Sequence, residues 1–355
     1  VTVGGLAAPT IQSMTRTATA DIEATAAQIR QMAVWGCDLV RVAVRDERAA
    51  AAVPAIVQES PLPVVADIHF SSALAMACLA GGAAGVRLNP LALDAQHSIE
   101  AIGAAAARHG AAIRVGINSA RLPIAVPESE AGQLLVERVL ETVHRLECGG
   151  LEHIKVSVKS SHVAQFIAAN RLLAEQCGWP IHLGLTEAGF GTAAVSRSAG
   201  ALAVLLNEGI GDTIRFSLCG DPHGEIVAAR ALLGALGLRS AGVELIACPG
   251  CGRAHGDVGA AAETVQRGLA DLTVDMQVAV MGCEVNGPGE ARRAEMGIAA
   301  TPQGWVLFCR GRTVRRLSFA EGPEVLVAEA RKRAAEIADA PKGAGGKEQQ
   351  TVDRP

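Results

Sequence analysis

Short runs with two-residue alternation recur along the first two-thirds of the chain, separated by longer Ala-rich stretches with helical spacing. The runs are Thr10–Met14, Asp38–Val44, Leu62–Ile68, Gly85–Asn89, Ala112–Asn118, Glu152–Lys159, Pro180–Glu187 and Asp212–Leu218. A period of two marks strands and a period near 3.6 marks helices. Ile22–Trp35, Ser98–His109, Leu134–Leu146 and Ala164–Cys177 carry the helical spacing. Glycines at Gly36, Gly110 and Gly149-Gly150 close several of them, as expected at helix C-termini. Eight strand–helix alternations predict an α/β chain with a (β/α)8 TIM barrel over residues 1–242, in preference to an open doubly wound sheet.

The alternation also predicts where polar groups point. In Ile113-Arg114-Val115-Gly116-Ile117-Asn118 one face is aliphatic and the other carries Arg, Gly and Asn. Val86-Arg87-Leu88-Asn89, Ile154-Lys155-Val156-Ser157-Val158-Lys159 and Ile214-Arg215-Phe216-Ser217-Leu218 repeat the pattern, and Arg41 on the second strand extends it. The aliphatic face packs on the outer helices, so the cations face the lumen. Unpartnered cations there cost roughly several kcal/mol each. Asp67, with His69 on its face, and Glu187 are too few to neutralise them. A diphosphate suits forked arginine donors, and sites of this fold lie at the strand C-termini. The expectation is an enzyme acting on a compact, highly anionic small molecule.

The rhythm changes after a linker at Gly237–Gly242. Glu244–Ala247 reads as a strand running into Cys248-Pro249-Gly250-Cys251, and Asp257–Leu272 as a helix. Thr273–Met281 reads as a strand ending near Cys283. Strands at Trp305–Cys309 and Thr313–Ser318 and a helix from Pro323 to Ala338 complete an α+β module over residues 243–340. Residues 341–355, rich in Gly, Lys and Gln, read as a mobile tail. Two thiolates of a Cys-x-x-Cys turn can grip one metal centre. Cys283 sits beside the glycine-rich turn Asn286-Gly287-Pro288-Gly289, which returns Glu290 toward it. Three thiolates and one oxygen donor suit a cubane iron–sulfur cluster with an exchangeable fourth ligand. The alternative reading of the same donors is a structural zinc held by the three thiolates plus one oxygen or nitrogen donor.

Composition narrows the remaining classes. Net charge is −4 and aromatic residues make up 3% of the chain, with no Tyr, which argues against nucleic-acid coats and base-stacking platforms. The longest stretch without formal charge, Ile68–Val86, holds His69, two serines and three glycines, and reads as strand, helix and turn rather than a membrane span. Nine cysteines, an odd count, with no signal-peptide pattern point to a reducing cytoplasm. Cys37, Cys78, Cys148, Cys177, Cys219 and Cys309 stand singly among small apolar residues and read as core hydrophobes.

Nine motifs in order resemble those of the bacterial 4-hydroxy-3-methylbut-2-enyl diphosphate synthases, from Val3 to about Ala340. They are Ile11-Gln12-Ser13-Met14-Thr15, Ala66-Asp67-Ile68-His69-Phe70, Arg87-Leu88-Asn89-Pro90, Arg114 to Ser119, Lys155 to Lys159, His182 to Gly189 and Gly211 to Arg215. The two most specific are Cys248-Pro249-Gly250-Cys251-Gly252-Arg253 and Met281-Gly282-Cys283 to Glu290.

The resemblance implies a TIM barrel followed by a small iron–sulfur domain. It implies reductive opening and dehydration of 2-C-methyl-D-erythritol 2,4-cyclodiphosphate, with two electrons delivered through a 4Fe-4S cluster held by Cys248, Cys251, Cys283 and Glu290. It further implies that Arg87, Arg114, Lys159, Arg215 and Ser217 hold the diphosphate, that Asn89, Asn118, Asp67 and His69 line the pocket, and that Glu187 supplies or relays a proton. Asn286 would lie near the reacting oxygen. A ferredoxin or flavodoxin donor and a head-to-tail homodimer with a cross-chain active site belong to the same implication.

This chain departs from the family's usual pattern at Arg16-Thr17-Ala18-Thr19 (usually Asn-Thr-Asp-Thr), at Leu91-Ala92 (usually Gly-Asn) and at His162 (usually acidic). Two other readings of the same residues are a pterin-type barrel transferase carrying a zinc module and a non-catalytic iron–sulfur carrier.

Overall fold

In a computed structural model of the chain, the described residues are 1–93, 98–118, 128–240, 242–283 and 291–339. The chain forms two units that meet between Arg239 and Ser240.

The first unit alternates strand and helix without interruption. Its strands are β1 (Thr10–Met14), β2 (Leu39–Val44), β3 (Val64–Ile68), β4 (Gly85–Leu88), β5 (Ala112–Asn118), β6 (Ile154–Lys159), β7 (His182–Leu183) and β8 (Thr213–Ile214). Each is followed by a helix: α1 (Ile22–Val34), α2 (Glu47–Glu59), α3 (Ser72–Ala80), α4 (Ile99–Arg108), α5 (Glu128–Cys148), α6 (Val163–Gln176), α7 (Gly191–Asn207) and α8 (Pro222–Ala235). Side-chain caps explain where several helices start. Asp21, Asp46, Ser71 and Ser98 each accept a hydrogen bond from the backbone N–H three residues on, satisfying a donor that the first turn leaves open.

All pairings are parallel, in the order β6-β5-β4-β3-β2-β1-β8-β7, so the barrel closes between β6 and β7. That junction holds a single bridge, Val156 to Ile181. β7 and β8 are two residues each, far shorter than the alternation at 180–187 and 212–218 predicts. Gly184 and Gly211 lie at their ends: a Cβ on Gly184 would meet Arg215 O at 3.0 Å and one on Gly211 would collide with Leu183 Cδ1. Close approach there needs glycine, and glycine weakens a strand. The aliphatic strand faces (Val40, Val42, Val86, Ile113, Val115, Ile117, Val156) are buried in one core with Ile29, Ile56, Leu79, Ile102, Val139 and Leu202 of the helices.

The second unit is a five-stranded sheet. It comprises β9 (Val243–Ala247), α9 (Val258–Leu269), β10 (Met276–Met281), β11 (Met296–Thr301), β12 (Gly304–Cys309), β13 (Arg312–Leu317) and α10 (Gly322–Asp339). Its order is β13-β12-β11-β10-β9, with β9, β10 and β11 parallel and the last two antiparallel. β11 is absent from the alternation reading. Its sequence, Met-Gly-Ile-Ala-Ala-Thr, is half Gly and Ala, which strands disfavour, yet all six are buried, so packing overrides propensity. One face of the sheet packs Val278, Ile298, Trp305 and Leu307 against Val265 of α9 and Leu326 and Ala330 of α10. The outer strand β13 exposes Arg312, Thr313, Val314, Arg315 and Arg316, and its register shifts beside Leu307/Phe308. Charge and a bulge on an edge strand discourage pairing with another chain.

Candidate active site

Strand register stacks the polar positions into rows around the barrel wall. Asp67 of β3, Arg87 of β4, Arg114 of β5 and Lys155 of β6 are successive register partners. Asn118 and Lys159 pair two rows nearer the C-terminal ends, beyond the Gly116–Ser157 row. Met14 pairs with Arg41, and the two meet side by side, Arg41 Nη2 lying 3.1 Å from Met14 Sδ. Gly116 opens the space this crowding requires. A Cβ there would lie 3.4 Å from Arg87 Nε, and Arg87 Nη2 instead donates to Gly116 O at 3.0 Å.

Among the described residues, five buried cations (Arg41, Arg87, Arg114, Lys159 and Arg215) face two buried carboxylates, Asp67 and Glu225. Asp67 lies 3.7 Å from Arg41 Nε, 3.6 Å from Arg87 Nη1 and 3.3 Å from His69 Nε2. Burial opposes its ionisation, but Arg41, the bond from His69, Arg87 and Arg114 outweigh that and hold its carboxyl well below the usual carboxylate range. Burial is the main force on the cations, pulling Arg41 down to about 10 and Arg114 and Lys159 well below their ordinary values. Arg114 Nη1 donates to Gln12 Oε1 at 3.0 Å, while its Nε and Nη2 make no hydrogen bond among the described residues. Lys159 makes no ion pair among the described residues. The lumen is therefore short of negative charge, and it has donors to spare.

The structure brings Arg41, Asp67, Arg87, Asn89, Arg114, Lys159 and Arg215 together as buried polar groups on the barrel strands or directly after them. Asn118, half-buried, closes the same strand ends. Ser217 is half-buried just beyond Arg215, and His69 is about half exposed where β3 ends. Glu187 is exposed in the loop after β7 and holds a left-handed φ of 55°, which costs a non-glycine residue roughly 1–2 kcal/mol.

The alternation reading missed the second lumen carboxylate. It took Glu187 for that role, whereas Glu225, from the first turn of α8, bonds Arg215. The signal was present in Asp221-Pro222-His223-Gly224-Glu225, a capped helix start with an acid in its first turn. Gln12 and His182 were missed too; the imidazole of His182 is fully buried with neither nitrogen hydrogen-bonded among the described residues, and burial pushes its pKa well down.

A cavity of about 510 Å³ opens at the opposite end of the barrel, beside the first residues of β2 to β6, and includes Leu39, Val65, Gly85, Ala112 and Lys155. Arg114 and its partner Gln12 also line it, whereas Arg41, Arg87, Lys159 and Arg215 do not. Lys155 borders it with one hydrogen bond, to Thr213 Oγ1 at 3.3 Å, and burial followed by the Arg114 charge pulls its pKa down to about 7.

In the second unit, Cys248 follows β9 and Cys283 follows the adjacent parallel strand β10, so both lie at one end of the sheet. The loop carrying Cys248 and Cys251 is tied to β10 and to the residue after it: Cys248 N donates to Val280 O at 2.9 Å and His255 N to Gly282 O at 3.1 Å. A Cβ on Gly282 would lie 3.4 Å from Cys248 Sγ, so glycine leaves room around the sulfur. Cys283 is buried, Cys248 half-buried and Cys251 exposed. The side chains do not close into a metal-holding group among the described residues. The donor set still fits a thiophilic centre in kind, with three cysteines delivered to one sheet end and space beside one sulfur. Asn286 and Glu290 lie outside the described residues. No helix among the described residues is long and apolar enough to cross a membrane.

Residues 1–230 match the family described as GcpE TIM-barrel domain and residues 244–332 that described as GcpE protein C-terminal domain. A relative from Geobacter sulfurreducens, named 4-hydroxy-3-methylbut-2-en-1-yl diphosphate synthase (flavodoxin), is 44% identical over 342 residues, covering 95% of this chain and 96% of its own. One of the same name from Desulfotalea psychrophila is 43% identical over 337 residues, 93% of each chain. Among solved structures, a dihydropteroate synthase from Stenotrophomonas maltophilia superposes with a TM-score of 0.50 at 16% identity, over 64% of this chain and 92% of its own, a likeness of barrel fold alone. With both of its units matched and its relatives aligned nearly end to end, the chain belongs to the GcpE family.

Proposed function

We propose that the protein converts 2-C-methyl-D-erythritol 2,4-cyclodiphosphate into 4-hydroxy-3-methylbut-2-enyl diphosphate by two-electron reductive ring opening and loss of water. The observation that carries this reading is the buried row of cations with too few carboxylates and with unused N–H donors. A diphosphate ring supplies the missing charge.

In this reading Arg87, Arg114, Lys159, Arg215 and Ser217 bind the diphosphate, with Arg41 behind them. Asn89 and Asn118 orient the sugar-derived hydroxyl groups. Asp67 fixes Arg41 and Arg87 and keeps His69 oriented, so that no guanidinium has to rotate when substrate arrives. Glu187, exposed in the loop after β7, gives or relays a proton at the departing oxygen. Asn286 acts beside it. Cys248, Cys251, Cys283 and Glu290 would hold a 4Fe-4S cluster, which when bound supplies the two electrons. The carboxylate is the harder and more exchangeable of the four ligands. The names of the relatives support flavodoxin as electron donor, and a ferredoxin would serve the same role. The resemblance supports a homodimer, with each barrel completed by its partner, working in the cytoplasm.

The test is anaerobic purification followed by a visible spectrum, iron and sulfide analysis, and turnover with reduced flavodoxin. Brown protein that makes product, and that loses colour and activity on Cys283→Ala, supports the reading. Colourless protein with stoichiometric zinc and no turnover overturns it.

A further inference from the structure

Glu225 is the most heavily engaged side chain at the barrel mouth. It is 1% exposed and accepts five hydrogen bonds. Its Oε2 receives Ser13 Oγ at 2.7 Å and Arg215 Nε at 3.2 Å. Its Oε1 receives Arg16 Nη2 at 2.7 Å, Leu218 N at 3.2 Å and Arg215 Nη2 at 3.3 Å. An ionised carboxylate offers about four lone-pair positions, so this one is saturated. Its place in the first turn of α8 adds the favourable end of the helix dipole.

The geometry determines what is left over. Arg215 gives Nε and Nη2 to Glu225, and Nη1 lies only 3.9 Å from Met14 Sδ, a weak contact. The guanidinium is planar, so fixing one edge aims the other, and that edge is turned toward Met14 in the lumen. Arg16 spends Nη2 twice, on Glu225 and on Leu218 O at 2.8 Å. Its other donors are unspent among the described residues, and its side chain is 41% exposed. Arg16 is also one of the positions at which this chain departs from the pattern its motifs resemble. A cation here sits in the loop after β1, bonded to the chain just past β8, above Arg215.

We propose that Glu225 is the positioning residue of the anion-binding end of the barrel, holding Arg215 and Arg16 as a pair, and that Arg16 is an additional contact for the substrate's diphosphate. This rests on the functional reading above. One carboxylate thus sets the aim of a buried donor and of a rim donor together, and the rim donor meets an incoming anion first.

The experiment measures substrate dissociation constant, kcat and KM on the holoenzyme for Glu225→Gln, Glu225→Asp, Arg16→Asn and the double variant Glu225→Gln/Arg16→Asn. Arg16→Asn is expected to raise the dissociation constant about 5- to 10-fold and Glu225→Gln about 30-fold or more, with kcat changed less than 3-fold and the cluster spectrum unmoved. Glu225→Asp is expected to recover part of the loss. The double variant is expected to lose less than the two single losses multiplied, because both act through one carboxylate. Unchanged binding in Arg16→Asn, or strictly multiplicative effects, overturns the pairing. A loss confined to kcat overturns the positioning role. If Glu225→Gln does not fold, the half-exposed Arg16→Asn decides alone. Arg87→Leu is the control for the underlying reading: if it too leaves binding unchanged, the diphosphate assignment fails rather than this one.

Discussion

Arg114→Leu separates the two jobs of the lumen cations, because stability and binding should move in opposite directions. In the free protein Arg114 is 3% exposed, has Nε and Nη2 without hydrogen bonds among the described residues, and sits among Arg41 and Arg87. Each unmade buried hydrogen bond costs roughly 1–3 kcal/mol. Leu removes two such donors and one like charge, and leaves one new orphan, Gln12 Oε1. The net expectation is about 1–2 kcal/mol of added stability without ligand. At about 2–4 °C per kcal/mol for a unit of this size, the barrel transition should rise by roughly 2–8 °C. Binding moves the other way. Two charge-assisted hydrogen bonds to a diphosphate contribute about 1.5–3 kcal/mol each, so their loss raises the dissociation constant at least ~10²-fold. Calorimetric titration and thermal unfolding on the same sample, with and without substrate, read both quantities. A variant that is less stable without ligand, or that binds as the parent does, refutes the account of Arg114 as a strained, waiting donor.

Asp67→Asn leaves Arg41 and Arg87 without their shared carboxylate, and breaking such a buried pair costs about 3–5 kcal/mol, so the barrel transition should fall by roughly 10 °C. Because the Asp67 carboxyl is held below its unfolded value, the parent's advantage over the variant should be full above about pH 4 and shrink as pH drops further; a gap unchanged down to pH 2 would contradict the ion-pair assignment. Lys155, pulled down to about 7, and Lys159, pulled down as well, are disfavoured as cations in the free lumen. An anion reverses this, so substrate binding near pH 8 should take up on the order of one proton, which titrations in buffers of different ionisation enthalpy detect; zero uptake would place the anion away from both lysines. For Lys155 alone, burial costs stability in full below about pH 7, and that cost is relieved as pH rises toward 10. Glu290→Ala should retain much of the visible spectrum, since three thiolates remain, while turnover falls by roughly 10²-fold or more; full activity would remove Glu290 from the ligand set.

Much of the barrel was legible because its strands are written in two alphabets. Ile113, Val115 and Ile117 on one side and Arg114, Gly116 and Asn118 on the other can satisfy only a wall with helices outside and a polar interior. The cations followed directly. Their aim did not, since it is set by residues with no signature in the alternation: Glu225 arrives from a helix, Gln12 reads as an ordinary strand position, and Gly116 works by what it lacks. β11 was invisible because Gly297, Ala299 and Ala300 are small for packing reasons, with Phe308 and Ala279 pressed against Gly297. The Cys-x-x-Cys turn was plain in the sequence, but its tie to Gly282 needs the parallel pairing of β9 and β10 to be known.

The lone bridge between β6 and β7 leaves the barrel with a seam. A closed ring of strands has no natural place to part, whereas this one is tacked together at Val156 and Ile181, with the two-residue β7 on one side of the join and the equally short β8 next beyond it. Opening there separates Lys159 from Arg215, the two sides of the anion site. An anion held by both acts as a staple across the seam, so amide hydrogens flanking Ile181 and Leu183 should exchange quickly in the free protein and slow sharply once the lumen is filled. The same gap that weakens the wall makes it responsive to its contents.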